Sequence, residues 1–305
     1  MNKTKLPILL IGIGIISVIW SFRVDAQLTA LSITPLTFEL TANPGDSLSH
    51  KLKVYNPNDN NVFVKMEVED FKTVGEEGQI IVVPDEETTY SLKKWVKTEP
   101  TEFALEPKEH RFVSFTIEVP KNAEPGGKYG SILASATSDT EEMPYFSVKQ
   151  GSLILLTVSG DMIESLIIKE FSAPENSEKG PILFTIRFEN NGTVQVIPRG
   201  YIAISDCQGE KIDDISFQQI NILPDAVRKV EALWDRERLT GCYTATLVGS
   251  YGTTETPFTS EEITFRISPN DNQIFPPATL FPLGGFGIIL EILTVFLRVI
   301  KLWPF

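Results

Sequence analysis

Apolar and polar residues alternate along most of this 305-residue chain, and no stretch between its two apolar ends carries a helical period. KLKVY (51–55), VFVKMEV (62–68), RFVSFTIEV (111–119) and ILFTIRFE (182–189) each show the period of two that marks a strand with one buried face. Turns rich in Asn, Asp, Gly and Pro separate them: NPNDNN, EPGG, ENNGT and SDCQGE. Short strands at this spacing fold as sandwiches.

The pattern occurs twice. GKYGSILA (127–134) returns as GCYTATL (241–247), with Gly, Tyr and Leu at the same spacing. KLKVYNPNDNNVFVKMEV is matched by ILFTIRFENNGTVQVIPRGYIAI, each a strand, an Asn-rich turn and a strand. Leu105-Glu-Pro107 followed by HRFVSFTIEV is matched by Leu223-Pro224 followed by VRKVEALW. The fold class expected is all-β, with two tandem immunoglobulin-like β-sandwich domains, 27–160 and 161–269. Gly127-Lys-Tyr129 and Gly241-Cys-Tyr243 would open equivalent strands, the Tyr hydroxyl capping the preceding connection. The first domain carries extra chain from about Lys72 to Glu102, and a short linker around Gly160–Ser165 separates the two domains.

Both ends are apolar. Lys3, Lys5 and LPILLIGIGIISVIW, followed by Val24-Asp-Ala26, read as a signal peptide over 1–26, cut after Ala26. A Pro-rich linker (270–281) leads to a C-terminal transmembrane helix (282–303), about 33 Å long at 1.5 Å per residue. Glu291 near its middle costs about 2.5–3.5 kcal/mol on insertion scales, and the surrounding Leu, Ile, Phe and Val outweigh it. A carboxyl there is a candidate for pairing with another membrane helix. Arg298 and Lys301 follow the span, so the expectation is a single-pass type I protein of the cell membrane with its bulk outside the cytoplasm.

An exported chain with two cysteines favours one disulfide, Cys207–Cys242, at the facing ends of two neighbouring strands. A net charge of −13 argues against nucleic acid. His50 and His110 lack partners for a triad or a zinc site, and read as exposed strand residues. No nucleophile elbow or phosphate loop is present, so no enzyme activity and no cofactor are expected. The acidic and amide clusters at 58–60, 85–87 and 139–142 lack the spacing of a calcium loop; turn chemistry explains Asn and Asp as well. Within the insertion, Tyr90, Lys93, Lys94, Trp95 and Lys97 form a candidate binding surface of aromatic and basic residues. The competing expectation is that Trp95 plugs the core while the lysines guard a sheet edge.

LSITPLTFELTANPGDSLSHKLKVYNPNDNNVFVKMEVEDF, then WVKTEPTEFALEPKEHRFVSFTIEVPKNAEPGGKYGSILAS, resembles the N-terminal domain of the WxL-interacting surface proteins of Gram-positive bacteria, over about residues 30–160. The resemblance implies a membrane-anchored surface protein, whose modules bind cell-wall polymer (peptidoglycan) or partner proteins in an adhesion or scaffold role. The second domain departs from that pattern at FENNGTVQVIPRGYIAISDCQG and is similar to uncharacterised anchored envelope proteins of bacteria. An alternative is also open. The opening strand with its Pro-Gly turn is similar to the first domain of periplasmic pilus chaperones, which implies an envelope assembly factor acting by β-strand pairing. That alternative calls for an unpaired, alternating edge strand and a basic anchor in a cleft.

Overall fold

Strand alternation becomes two sandwiches, each closed over its own row of inward-facing side chains. The structure, a computed structural model, describes residues 31–84, 88–138, 149–177, 181–235 and 240–268. The first domain contains β1 (Ser32–Thr34), β2 (Thr37–Ala42), β3 (Ser47–Tyr55), β4 (Val62–Glu69), β5 (Phe71–Val74), β6 (Gln79–Val82), β7 (Val96–Glu99), β8 (Glu102–Leu105), β9 (His110–Glu118), β10 (Gly126–Ser138) and β11 (Lys149–Val158). One sheet runs β1-β3-β9-β7 and the facing sheet β2-β11-β10-β4-β8, while β5 and β6 pair as a separate hairpin. The opening run changes sheets at Pro35: β1 pairs antiparallel with β3, whereas β2 pairs parallel with β11. Proline has no N–H to give to a ladder, so pairing is interrupted there.

The second domain contains β12 (Leu166–Ser172), β13 (Asn176–Ser177), β14 (Ile182–Asn190), β15 (Arg199–Asp206), β16 (Lys211–Ser216), β17 (Val227–Trp234), β18 (Gly241–Tyr251), β19 (Thr256–Thr259) and β20 (Ile263–Ile267). Its sheets run β12-β14-β17 and β13-β20-β18-β15-β16, with β19 also on β18. Leu52, Phe115, Ile117 and Ile154 fill the first core, and Phe184, Phe188, Trp234 and Phe265 the second. Full burial of such a side chain stabilises by about 1.5–3 kcal/mol.

The repeat holds at the level of single hydrogen bonds. Asn56 directly follows β3 and Asn190 ends β14, and both are fully buried. Asn56 Nδ2 donates to the carbonyls of Asn60 and Glu106, both at 2.9 Å, and its Oδ1 accepts from Asn58 N at 3.0 Å. Asn190 Nδ2 donates to Val194 O and Ile222 O, both at 2.8 Å, and its Oδ1 accepts from Gly192 N at 2.8 Å. In each domain one amide thus ties its own turn to the Leu-Pro loop. Those loops also match, for Lys108 and Asp225, each following a proline, have φ of 60° and 61°.

Strand β15 lies antiparallel to β18 with Asp206 opposite Tyr243, which sets Cys207 beside Cys242. The two form the expected disulfide, with Cα atoms 5.5 Å apart. His50 departs from expectation. It faces the interior side of β3 and its ring packs 5.7 Å from Phe115 and 5.9 Å from Phe38, whereas His110 is exposed. No helix among the described residues is long and apolar enough to cross a membrane. The expected signal peptide, linker and transmembrane helix, with Glu291, lie outside the described residues.

Candidate functional site: the cleft between the sandwiches

The two domains share buried surface. Phe71, Tyr129 and Leu155 of the first domain belong to the same apolar cluster as the core of the second, with Tyr90 and Leu153 packed against it. Polar contacts surround this plug. Tyr129 Oη donates to Gln195 Oε1 at 2.9 Å, and Gln195 Nε2 donates onward to Thr157 Oγ1 at 3.0 Å. Gly127 N donates to Thr193 O at 2.8 Å. Burial of the Tyr129 ring drives its phenol well above the ordinary tyrosine range, so the hydroxyl stays a donor.

The insertion supplies the rest of the clasp. The turn of the β5–β6 hairpin reaches the second domain, where Lys229 N donates to the Glu76 carbonyl at 2.9 Å. Arg187 grips the Glu76 carboxylate with two N–H groups, the Nε contact being 2.7 Å. Lys229 Nζ meets Glu77 at 2.8 Å. The hydrogen bond from Arg187 holds the Glu76 carboxyl below its usual range, and Glu77 raises Lys229.

Beside the clasp lies a cleft of about 410 Å³, lined by Glu39 and Thr41 of β2, Thr157 of β11, Glu164 of the linker, and Gln195, Arg199 and Asn221 of the second domain. Glu164 is fixed by Thr253, whose N–H meets both carboxylate oxygens at 3.0 and 2.9 Å. Gly252 is the residue that fits there: its φ is +76°, and a Cβ would lie 2.3 Å from Glu164 Oε2. Asn221 Nδ2 donates to Glu39 Oε1 at 2.7 Å, while its buried Oδ1 has no partner among the described residues. Arg199 lines the same cleft.

The cleft contains an open strand edge. The N–H groups of Leu153 and Ser159 donate to Leu36 O and Ala42 O, both at 2.9 Å, so the even-numbered residues of β2 face β11. Thr37, Glu39 and Thr41 therefore turn their main-chain N–H and C=O away from β11, where no strand of the described residues pairs with them. Burial of β2 alternates as an edge strand's should, with Phe38 and Leu40 packed on the first core.

The five residues of the sequence-derived binding surface are divided among other tasks. Tyr90 Oη donates to Asp225 across the domain boundary at 3.3 Å. Lys93 pairs with Glu69 and Lys97 with Glu118, and Trp95 packs against the first core with Lys128 Nζ 5.9 Å from its ring centre. Lys94 is engaged as well. Asp59 of the 58–60 cluster pairs with Lys108 at 2.9 Å, and Asn58 belongs to the Asn56 turn. The residues that form the cleft edge, Glu39 and Thr41, went unmarked in the sequence. Pro35 inside the opening run was the available signal, since a proline there breaks the ladder and frees one side of the next strand.

The fold and cleft define a class: a protein of two tandem immunoglobulin-like sandwiches joined by a buried interface. No sequence family and no curated protein matches the chain. Among solved structures it is similar to the periplasmic chaperone SfaE, with 10% identity and a TM-score of 0.36 over 78% of this chain and 100% of that one. A chaperone–tip adhesin complex of CFA/I fimbriae biogenesis gives 15% and 0.40 over 79% and 99%, and the E. coli chaperone DraB 12% and 0.35 over 79% and 98%. At these values the likeness carries no argument about what this chain binds.

Proposed function

We propose that the protein is a non-enzymatic, membrane-anchored envelope factor that captures an extended segment of a partner protein by strand addition along β2. The observation that carries this reading is the unpaired edge at Thr37, Glu39 and Thr41, lining a cleft between two domains that are clasped together. A strand laid there gains main-chain hydrogen bonds from the odd-numbered residues, and its side chains enter the cleft. The clasp keeps edge and cleft wall in register, so ordering costs fall mainly on the incoming segment. Arg199 supplies a basic group for a carboxylate of that segment. The apolar ends of the sequence support a type I placement outside the cytoplasm, where the Cys207–Cys242 bridge is at home.

Thr41→Pro tests this reading. The substitution removes one outward N–H, and proline is tolerated on an edge strand. Purified protein would be screened against synthetic nine-residue peptides of alternating apolar pattern. Capture by the wild type and loss of capture in Thr41→Pro is the expected result. Capture that survives Thr41→Pro, or a library in which nothing binds, overturns the assignment.

A further inference from the structure

The outer face of the β1-β3-β9-β7 sheet carries a second surface, unconnected with the cleft. Residues Leu52, Val54, Val113, Phe115 and Ile117 point into the core, so their neighbours on β3 and β9 point out. The register sets Tyr55 opposite His110, Lys53 opposite Phe112 and Lys51 opposite Ser114. On β1, Thr34 flanks Lys53 and Ser32 flanks Tyr55. Phe112 is 59% exposed, an unusual degree for so large an apolar ring, and His110 meets that ring edge-on at 5.8 Å.

The charges of this face run against those of the chain. Lys51 and Lys53, about 7 Å apart as next-but-one residues of a strand, make no ion pair among the described residues. Lys97 at the far rim is neutralised by Glu118 at 2.8 Å, and Glu99 lies opposite Ser114, two strands from Lys51. A protein of net charge −13 thus places two ammonium groups, without an ion-pair partner among the described residues, beside an exposed aromatic pair and a row of hydroxyls. Ser49 and Thr116 continue that row, 3.2 Å apart.

We propose that this face binds an acidic polysaccharide. Lysine ammonium groups meet its carboxylates. The rings of Phe112 and Tyr55 offer flat apolar area to sugar faces, and Ser and Thr hydroxyls exchange hydrogen bonds with sugar hydroxyls. Duplex nucleic acid would need a much larger basic footprint than two lysines. A lipid surface would need more than one prominent apolar side chain. The proposal does not depend on strand capture at β2, because the two surfaces lie on opposite sheets of the first domain.

The test is affinity electrophoresis of the full-length protein in detergent, through gels containing polygalacturonate, neutral dextran or polyphosphate. Wild type should be retarded by polygalacturonate and not by dextran, and less so as salt rises. Lys51→Gln with Lys53→Gln should weaken that retardation about tenfold. Phe112→Ala should also weaken it, and Lys211→Gln in the second domain should leave it unchanged. All substituted side chains point to solvent, and equal melting temperatures would show that the fold is kept. Three results would each overturn the assignment: no retardation by polygalacturonate, equal retardation by polyphosphate, or retardation untouched in the double-lysine variant.

Discussion

The two Gly-x-Tyr corners start from the same residues and end in different roles. Tyr243 donates to Thr240 O at 3.2 Å, closing the turn just before its own strand, and its ring packs 5.4 Å from Trp234 and 5.7 Å from Phe265 within one domain. Tyr129 lies over Gly127 of its own turn but sends its hydrogen bond elsewhere. Its hydroxyl crosses to Gln195, its N–H donates to Tyr90 O at 2.7 Å, and its ring lies against Phe71 and Tyr90. The motif fixes where the ring emerges from the strand; the surrounding chain decides what it holds. In the first domain that chain is the insertion, which makes a corner into a bolt between domains.

The largest expected effect separates the copies by their covalent bonds. Only the second domain has a disulfide among the described residues, closing a separation of 35 residues, so reduction should cost about 3–4 kcal/mol. If the shared cluster couples the domains, urea unfolding of the reduced protein shows one transition moved as a whole. A shift confined to second-domain probes would mean that the interface transmits nothing.

Next come the paired asparagines. Asn56→Ala and Asn190→Ala each leave an N–H, partly buried at Asn58 and buried at Gly192, and two or more carbonyls without the partner that joined turn to loop. Each should cost about 2–3 kcal/mol, since polar groups stranded away from water by truncation keep their desolvation penalty with no hydrogen bond to offset it. Equal losses by denaturant unfolding would support true equivalence of the copies. A loss at one site below half that at the other would show that the matched hydrogen bonds carry unequal weight.

The tyrosines themselves should differ less. Tyr129→Phe strands Gln195 Oε1 in a partly buried site and should cost about 1–2 kcal/mol, whereas Tyr243→Phe gives up one longer bond near the surface, about 0.5–1 kcal/mol. Thermal unfolding compares them, and Tyr129→Phe should also broaden the transition as the domains begin to melt apart. A larger effect at Tyr243 would reverse the assignment of bolt and corner.

These contrasts were unequally legible in the sequence. Alternation exposed both sandwiches, and the strand order placed Cys207 against Cys242, because period and turn chemistry are local properties. The insertion stayed open between a binding surface and a core plug for a physical reason. Tyr90 and Trp95 look like recognition residues until a second domain is present to receive one and a core to receive the other. Glu76 and Glu77, between Gly75 and Gly78 with positive φ, read as an ordinary charged hairpin turn. Their partners Arg187 and Lys229 lie more than a hundred residues away, and no spacing rule links them. The β2 edge was hidden in a similar way, since openness depends on which strand is missing beside it.

The smallest effect expected is the pH response of the clasp, and its sign is set by Arg187. By hydrogen bonding first and charge second, that guanidinium holds the folded Glu76 carboxyl below its ordinary value of 4.5. The contribution is therefore present above the unfolded carboxylate range and is lost as pH falls through the lower folded value. The pair is solvent-accessible, so screening keeps the effect small. Other carboxylates titrate in the same window, and the useful quantity is the difference between wild type and Glu76→Gln. Small-angle scattering from about pH 7 down to about pH 3 should show the variant slightly more expanded at neutral pH, the gap closing as wild-type Glu76 takes up its proton. A gap that persists at the acid end would mean that the amide perturbs the hairpin turn itself, and that the Glu76 charge does not hold the domains.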